Sequence, residues 1–149
     1  MKPRIIALDV GDARIGVALS DPLGIFAQPL CTIANRRPGA FEEIISLAHT
    51  HGVETILLGL PLELDGRQGR QARKIQTFLE NLKKAFEKQQ RMPVPQFVLW
   101  DERFSTLQAE RVIAGEGLKN RTRREVLDRI SASLLLDAFL SSPAVSRPS

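Results

Sequence analysis

Acidic side chains stand at three separated places in this 149-residue chain, each where a carboxylate could meet a metal ion. Asp9 ends the apolar run Ile5-Ile6-Ala7-Leu8 and is followed two residues later by Gly11. Asp101 and Glu102 end a second apolar run, Phe97-Val98-Leu99-Trp100. Asp128 falls in the first turns of the last helical segment, with the small residues Ser131 and Ala132 close behind it. Oxygen-only donors suit hard divalent cations such as Mg²⁺ or Mn²⁺ better than zinc. Two such ions can activate a water and stabilise the leaving oxygen in an in-line displacement at phosphorus. That chemistry needs acids and a phosphate substrate, but no cysteine or histidine nucleophile. Neighbouring strand residues point to opposite faces, so one of Asp101 and Glu102 is the direct ligand. Spacing alone leaves open which one. Each acid also has a structural reading: Asp128 could serve the helix dipole, and Asp101 and Glu102 could pair with nearby arginines.

Composition narrows the alternatives. The lone Cys31 excludes an intrachain disulfide and a cysteine-rich zinc site. His49 and His51 fall together at a predicted helix end, as solvated residues rather than a metal pair. No apolar run approaches the roughly 20 residues that span a bilayer. The opening residues lack the apolar core of a secretory signal, so a reducing cytoplasm is the expected compartment, with no membrane partner. A net charge of +4 suits a polyanionic partner. With no tyrosine and 5% aromatic residues, the chain is poorly equipped to stack bases. Contact with nucleic acid is expected through backbone phosphates. Gly11 allows close approach, and Arg14, Arg67 and Arg70, then Lys119, Arg121, Arg123 and Arg124, supply positive charge. Flexible basic segments of this kind order on binding.

The elements that position the acids read in chain order. The apolar run into Asp9 is a strand buried on both faces. Ile15–Ser20 is a second strand. Asp21-Pro22-Leu23-Gly24 is a turn, and Ile25–Ile33 a third strand whose Pro29 predicts an edge position or a bulge. A helix with Phe41, Ile44, Ile45 and Ala48 inward closes at Gly52. A strand over 53–58, a second helix with the stripe Ala72, Ile75, Leu79, Leu82 and Phe86, and a strand over 97–100 follow. Ser105-Thr106-Leu107-Gln108 predicts the start of a third short helix. The last helix is predicted from about Arg123 to Leu140, with Leu127, Ile130, Leu134 and Ala138 inward. Residues 1–141 read as one domain and 142–149 as a disordered tail. An antiparallel β-meander followed by β-α units predicts an α/β protein of RNase H-like fold. Its mixed five-stranded sheet carries helices on both faces, and the Asp101 strand is expected beside the first.

Motifs along the chain strengthen this reading. Leu8-Asp9-Val10-Gly11 with Arg14-Ile15-Gly16-Val17-Ala18 and Ser20-Asp21, then Gly59-Leu60-Pro61-Leu62 with Asp65-Gly66, then Asp101-Glu102-Arg103-Phe104-Ser105-Thr106, resemble the successive motifs of the YqgF/RuvX family. The resemblance runs from about Arg4 to Leu140. It implies an RNase H-like fold related to the RuvC resolvases. It also implies a nuclease that processes the 5′ end of pre-16S ribosomal RNA, with cleavage of four-way junctions as an alternative. Asp9, Glu102 and Asp128 would be the catalytic acids holding two Mg²⁺ or Mn²⁺ ions. Asp101 would support them or exchange roles with Glu102. The Asp128-Arg129-Ile130-Ser131-Ala132 segment departs mildly from the alanine-rich helix that usually follows the last acid. The implied partners are structured pre-rRNA and pre-ribosomal particles, met as a monomer or weak homodimer. A non-catalytic RNA-binding assembly module is the competing class. A phosphotransferase of the actin-like kind would need a second lobe, for which the chain has no room.

Overall fold

The computed structural model describes residues 2–61, 67, 69–101 and 120–142, with residues 120–129 described by their backbone alone. Seven residues, Arg4–Val10, form strand β1, followed by β2 (Arg14–Ser20) and β3 (Ala27–Ala34). Helix α1 (Ala40–Thr50), strand β4 (Val53–Leu60), helix α2 (Arg70–Gln89), strand β5 (Gln96–Asp101) and helix α3 (Asn120–Ser141) complete the order. The sheet runs β3-β2-β1-β4-β5, so β1 is its central strand. The first three strands pair antiparallel, whereas β1, β4 and β5 are parallel. This is the mixed five-stranded sheet expected from the order of elements. One detail differs from expectation: β4, not β5, lies beside β1. Successive β-α units therefore added strands outward from the centre, and the acids of β5 start two strand spacings from Asp9, roughly 10 Å.

Alternation along each strand divides the interior into two layers. Ile6, Leu8, Ile15, Val17, Ile56 and Leu58 face α1 and α2 and pack on their buried stripes. Ile5, Ala7, Ala18 and Leu57 face the other way, against Ala132, Leu135, Leu136 and Phe139 of α3. Helices thus cover both faces. Ala7 pairs with Ala18, and both are fully buried. These short side chains form a floor on which α3 can lie close to the backbone of the sheet.

The stripe of α2 is the one its periodicity predicts, Ala72, Ile75, Leu79, Leu82 and Phe86. The stripe of α3 is not. Leu134 and Ala138 are only half-buried, whereas Ala132, Leu135, Leu136, Phe139 and Leu140 are buried. Segregation along this helix is weak, with apolar residues on several faces, so the sheet it meets selects the buried face. The helix also begins three residues before its predicted start.

Strand β3 begins at Ala27 rather than Ile25. The Asp21 carboxylate accepts the backbone N–H groups of Ile25 and Phe26 at 2.7 and 2.8 Å. Those donors are consumed in the turn and cannot enter the ladder. Pro29 meets both expectations for it. Strand β3 is an edge strand, and its register against β2 shifts between Val17–Cys31 and Ala18–Pro29. The predicted helix after Ser105 and the predicted tail beyond residue 142 lie outside the described residues.

Candidate active site

Asp9 stands near the C-terminal end of β1, half-buried at the rim of the sheet. Its parity is that of Ile5 and Ala7, so it belongs to the face covered by α3. On β2 its direct partner is Gly16. On the other side the parallel register matches Leu8 with Leu58, which brings Gly59 alongside Asp9 one step further on. Gly59 in turn pairs with Trp100 of β5. The row across this face reads Gly16, Asp9, Gly59, Trp100. The residues directly across from Asp9 on its two neighbouring strands are thus glycines. Both glycines fall in motifs quoted from the sequence, but only strand parity and register place them on either side of Asp9.

The two acids of β5 are separated by the same rule. Phe97 and Leu99 pack in the α1/α2 layer, and Val98 and Trp100 in the α3 layer. Asp101 has the parity of Phe97 and Leu99 and is paired with Leu60, another residue of the α1/α2 layer. Asp101 and Asp9 therefore belong to opposite faces. Glu102 lies outside the described residues, as does Lys119. Asp128, Arg121, Arg123 and Arg124 are carried by the first turns of α3, where the backbone alone is described. Among the described residues, no three of His, Cys, Asp and Glu gather into a metal-sized cluster. Asp9 is the described member of the expected set. Its oxygen donor suits a hard cation.

The wall between β5 and α3 is aromatic. Trp100 meets Phe139 edge-to-face, with ring centroids 5.3 Å apart and planes at 88°. This contact fixes the C-terminal half of α3 over the sheet face that carries Asp9.

The predicted phosphate-binding residues fall in different places. Gly11 serves the β1–β2 hairpin, its N–H donating to the Arg14 carbonyl at 2.8 Å. A Cβ there would stand 3.0 Å from that same oxygen, so any other residue would push the turn apart by a few tenths of an ångström. Arg14 is exposed and shares the parity of Gly16, hence the face of Asp9. Arg70 opens α2 on the opposite side of the sheet, and Arg67 is exposed just before it. His49 lies in the last turn of α1 and His51 caps it, as their sequence position predicts. No helix among the described residues is long and apolar enough to cross a membrane.

A family model described as "RuvX: Holliday junction resolvase" matches residues 3–142. The chain belongs to the RuvX family. A relative from Syntrophus aciditrophicus is 41% identical over 140 residues, spanning 93% of this chain and 89% of its own. Another from Thermoanaerobacter pseudethanolicus is 40% identical over 143 residues, spanning 93% of this chain and 96% of its own. Both carry the name "Putative pre-16S rRNA nuclease". Among solved structures, Thermus thermophilus RuvC in complex with a Holliday junction substrate aligns with a TM-score of 0.55 at 15% identity. That alignment covers 95% of this chain and 98% of RuvC. At that identity the likeness shows the fold, which is the RNase H-like fold expected from the order of elements. Membership of a resolvase and nuclease family places the chain among phosphodiester hydrolases.

Proposed function

We propose that this chain is a divalent-metal-dependent nuclease that cleaves a phosphodiester bond in the 5′ precursor segment of 16S ribosomal RNA. The observation that carries the proposal is the setting of Asp9. It is a carboxylate on the central strand, at the sheet rim, between two glycines and on the face that α3 covers. The names of the 40%-identical relatives support the RNA substrate.

In this reading Asp9, Glu102 and Asp128 hold the metal. Strand parity favours Glu102 over Asp101 as the direct ligand, because a strand continued past Trp100 returns to the Asp9 face at position 102. The backbone of α3 carries position 128 one helical turn before Ala132, which packs on the sheet. Bound Mg²⁺ or Mn²⁺, two ions in the full site, would lower the pKa of a water and neutralise charge developing on the leaving oxygen. The protein supplies carboxylates and the positive charge that places the substrate backbone. Arg14, beside Asp9 on the same face, is the described residue best placed to position a phosphate there. Its compartment would be the cytoplasm and its partners pre-ribosomal particles.

Cleavage of four-way DNA junctions is the second reading, favoured by the family description and by the RuvC-like fold. It requires a symmetric dimer placing two sites across one junction. The deciding experiment compares wild type with Asp9→Asn on a pre-16S 5′ fragment and on a synthetic junction, each with Mg²⁺ or Mn²⁺. RNA cleavage that disappears in the variant supports the processing nuclease. Mutant-sensitive cleavage of the junction alone transfers the assignment to the resolvase. Equal cleavage by both proteins, or none by either, refutes the carboxylate site and leaves an RNA-binding assembly module.

A further inference from the structure

On the face opposite Asp9, a cavity of about 440 Å³ opens between the β1–β2 turn, the β3–α1 connection and the first three turns of α2. Four cations line it, Arg36, Arg70, Arg73 and Lys74, together with the amides of Asn35, Gln71 and Asn81 and the Thr77 hydroxyl. Its one described carboxylate is Asp12, which stands 3.3 Å from the Lys74 ammonium. Among the described residues, the side chains of Arg36, Arg70 and Arg73 have no carboxylate partner. Three guanidinium groups drawn from two segments and left facing one hollow repel one another until an anion enters.

The shape identifies the anion. From Arg70 to Asn81 the wall follows α2 for roughly 16 Å, at about 1.5 Å per residue. The cations take its first part, Arg70 to Lys74, with Arg36 from the other segment, which suits adjacent phosphates of one chain, and the wall continues uncharged through Thr77 to Asn81. Guanidinium forks match phosphate oxygens bidentately. The aromatic residues at the cavity, Phe41 and Phe78, are engaged edge-to-face with each other at 5.3 Å and present no platform for a base. Contact is therefore to the sugar-phosphate backbone and independent of sequence. The groove reaches the rim of the sheet, since Val10 and Gly11, the residues directly after Asp9, line it. Asn35 fixes this corner: its amide donates to the Gly11 carbonyl at 2.6 Å, and its N–H to the Ala13 carbonyl at 2.9 Å.

We infer that this groove is a second backbone track, which holds the flank of the nucleic acid whose bond is cut beside Asp9. The inference rests on the nuclease reading. A strand bound here would cross the end of β1, with the scissile bond on the α3 face and its flank along α2.

The test uses full-length Asp9→Asn protein, which does not cut, and the same protein carrying Arg36→Gln and Arg73→Gln. Binding of a fluorescein-labelled pre-16S 5′ fragment is followed by anisotropy between 50 and 200 mM salt. Loss of two phosphate contacts should make the slope of log K against log salt shallower by about 1.4–1.8. A control pair, Lys84→Gln and Lys88→Gln, removes the same charge from α2 outside the groove and should leave the slope as it was. An unchanged slope in the Arg36/Arg73 variant overturns the track while leaving the nuclease reading intact. So does an equal change in both pairs, which would mean diffuse attraction. Inorganic phosphate serves as the second probe: if the variant loses phosphate binding but keeps the RNA slope, the groove is a small-anion site and the track is refuted. Failure of the Asp9→Asn parent to bind the RNA at all overturns both readings together.

Discussion

Replacing Phe139 with alanine removes an aromatic contact by which α3 is held over the Asp9 face. The ring is 4% exposed and packs edge-to-face on Trp100. Truncating a buried phenylalanine costs about 3–5 kcal/mol, the transfer term plus the hollow left behind. Within that cost the aromatic pair accounts for roughly 0.5–1.5 kcal/mol beyond simple burial. The upper half of the range should apply, because the rest of this layer cannot collapse inward. Ala7, Ala18 and Ala132 are already short, and Leu57 and Leu135 are fully buried against the sheet. About 4 kcal/mol is a large share of the roughly 5–15 kcal/mol that holds a typical domain. It should lower the melting temperature by roughly 10 °C in a chain of this size. Trp100 is the single tryptophan, so its fluorescence reports from the contact itself. Urea unfolding followed by Trp100 emission and by far-ultraviolet circular dichroism should give coincident curves, with a lower midpoint and the same slope as wild type. The native emission of Phe139→Ala should also shift to the red. A loss below about 1 kcal/mol, with unchanged emission, would refute the claim that this contact anchors α3.

Three further outcomes follow from particular hydrogen bonds. Ser20 is fully buried, and its Oγ accepts the Ile5 N–H at 2.8 Å, where the β1–β4 register shifts. Ser20→Ala leaves that donor unpaired and should cost about 1–3 kcal/mol in urea unfolding, despite the small change in volume. Asp137 accepts the Ala27 N–H at 2.9 Å, yet burial outweighs that bond and raises its pKa above 3.8. The folded state then binds the proton more tightly, so stability falls as pH rises from 3.8 through the folded pKa. Asp137→Asn should accordingly raise the urea midpoint at neutral pH and change little in acid below 3.8. Asp21 is the opposite case, since the N–H groups led by Phe26 lower its pKa. Its contribution is complete above 3.8 and disappears as pH falls through the lower folded value. Asp21→Ala should expose the Ile25 and Phe26 amides to faster hydrogen exchange at neutral pH, a difference that vanishes in strong acid.

Much of this molecule is legible in its sequence because the signals are local. Apolar runs ending in acids marked β1 and β5, the 3.6-residue stripe marked α2, and Pro29 announced an edge strand or a bulge. The RuvX motifs carried the family, since a motif is a short-range pattern of residue types. The position of β4 between β1 and β5 was not legible, because strand order depends on which crossover packs best. The buried face of α3 escaped for a related reason: with apolar residues on several sides, the helix takes its orientation from the alanine floor of β1 and β2. The separation of Asp101 from Asp9 needed both strand parity and the helix layers that give each face its identity. The same holds for the glycines on either side of Asp9, which are neighbours only through register. Residue types and their spacing suggested the class of chemistry, and the family motifs carried the nuclease reading. That Asp9 and Asp101 lie on opposite faces was decided by tertiary structure alone, because a one-residue step along a strand reverses the direction of every side chain.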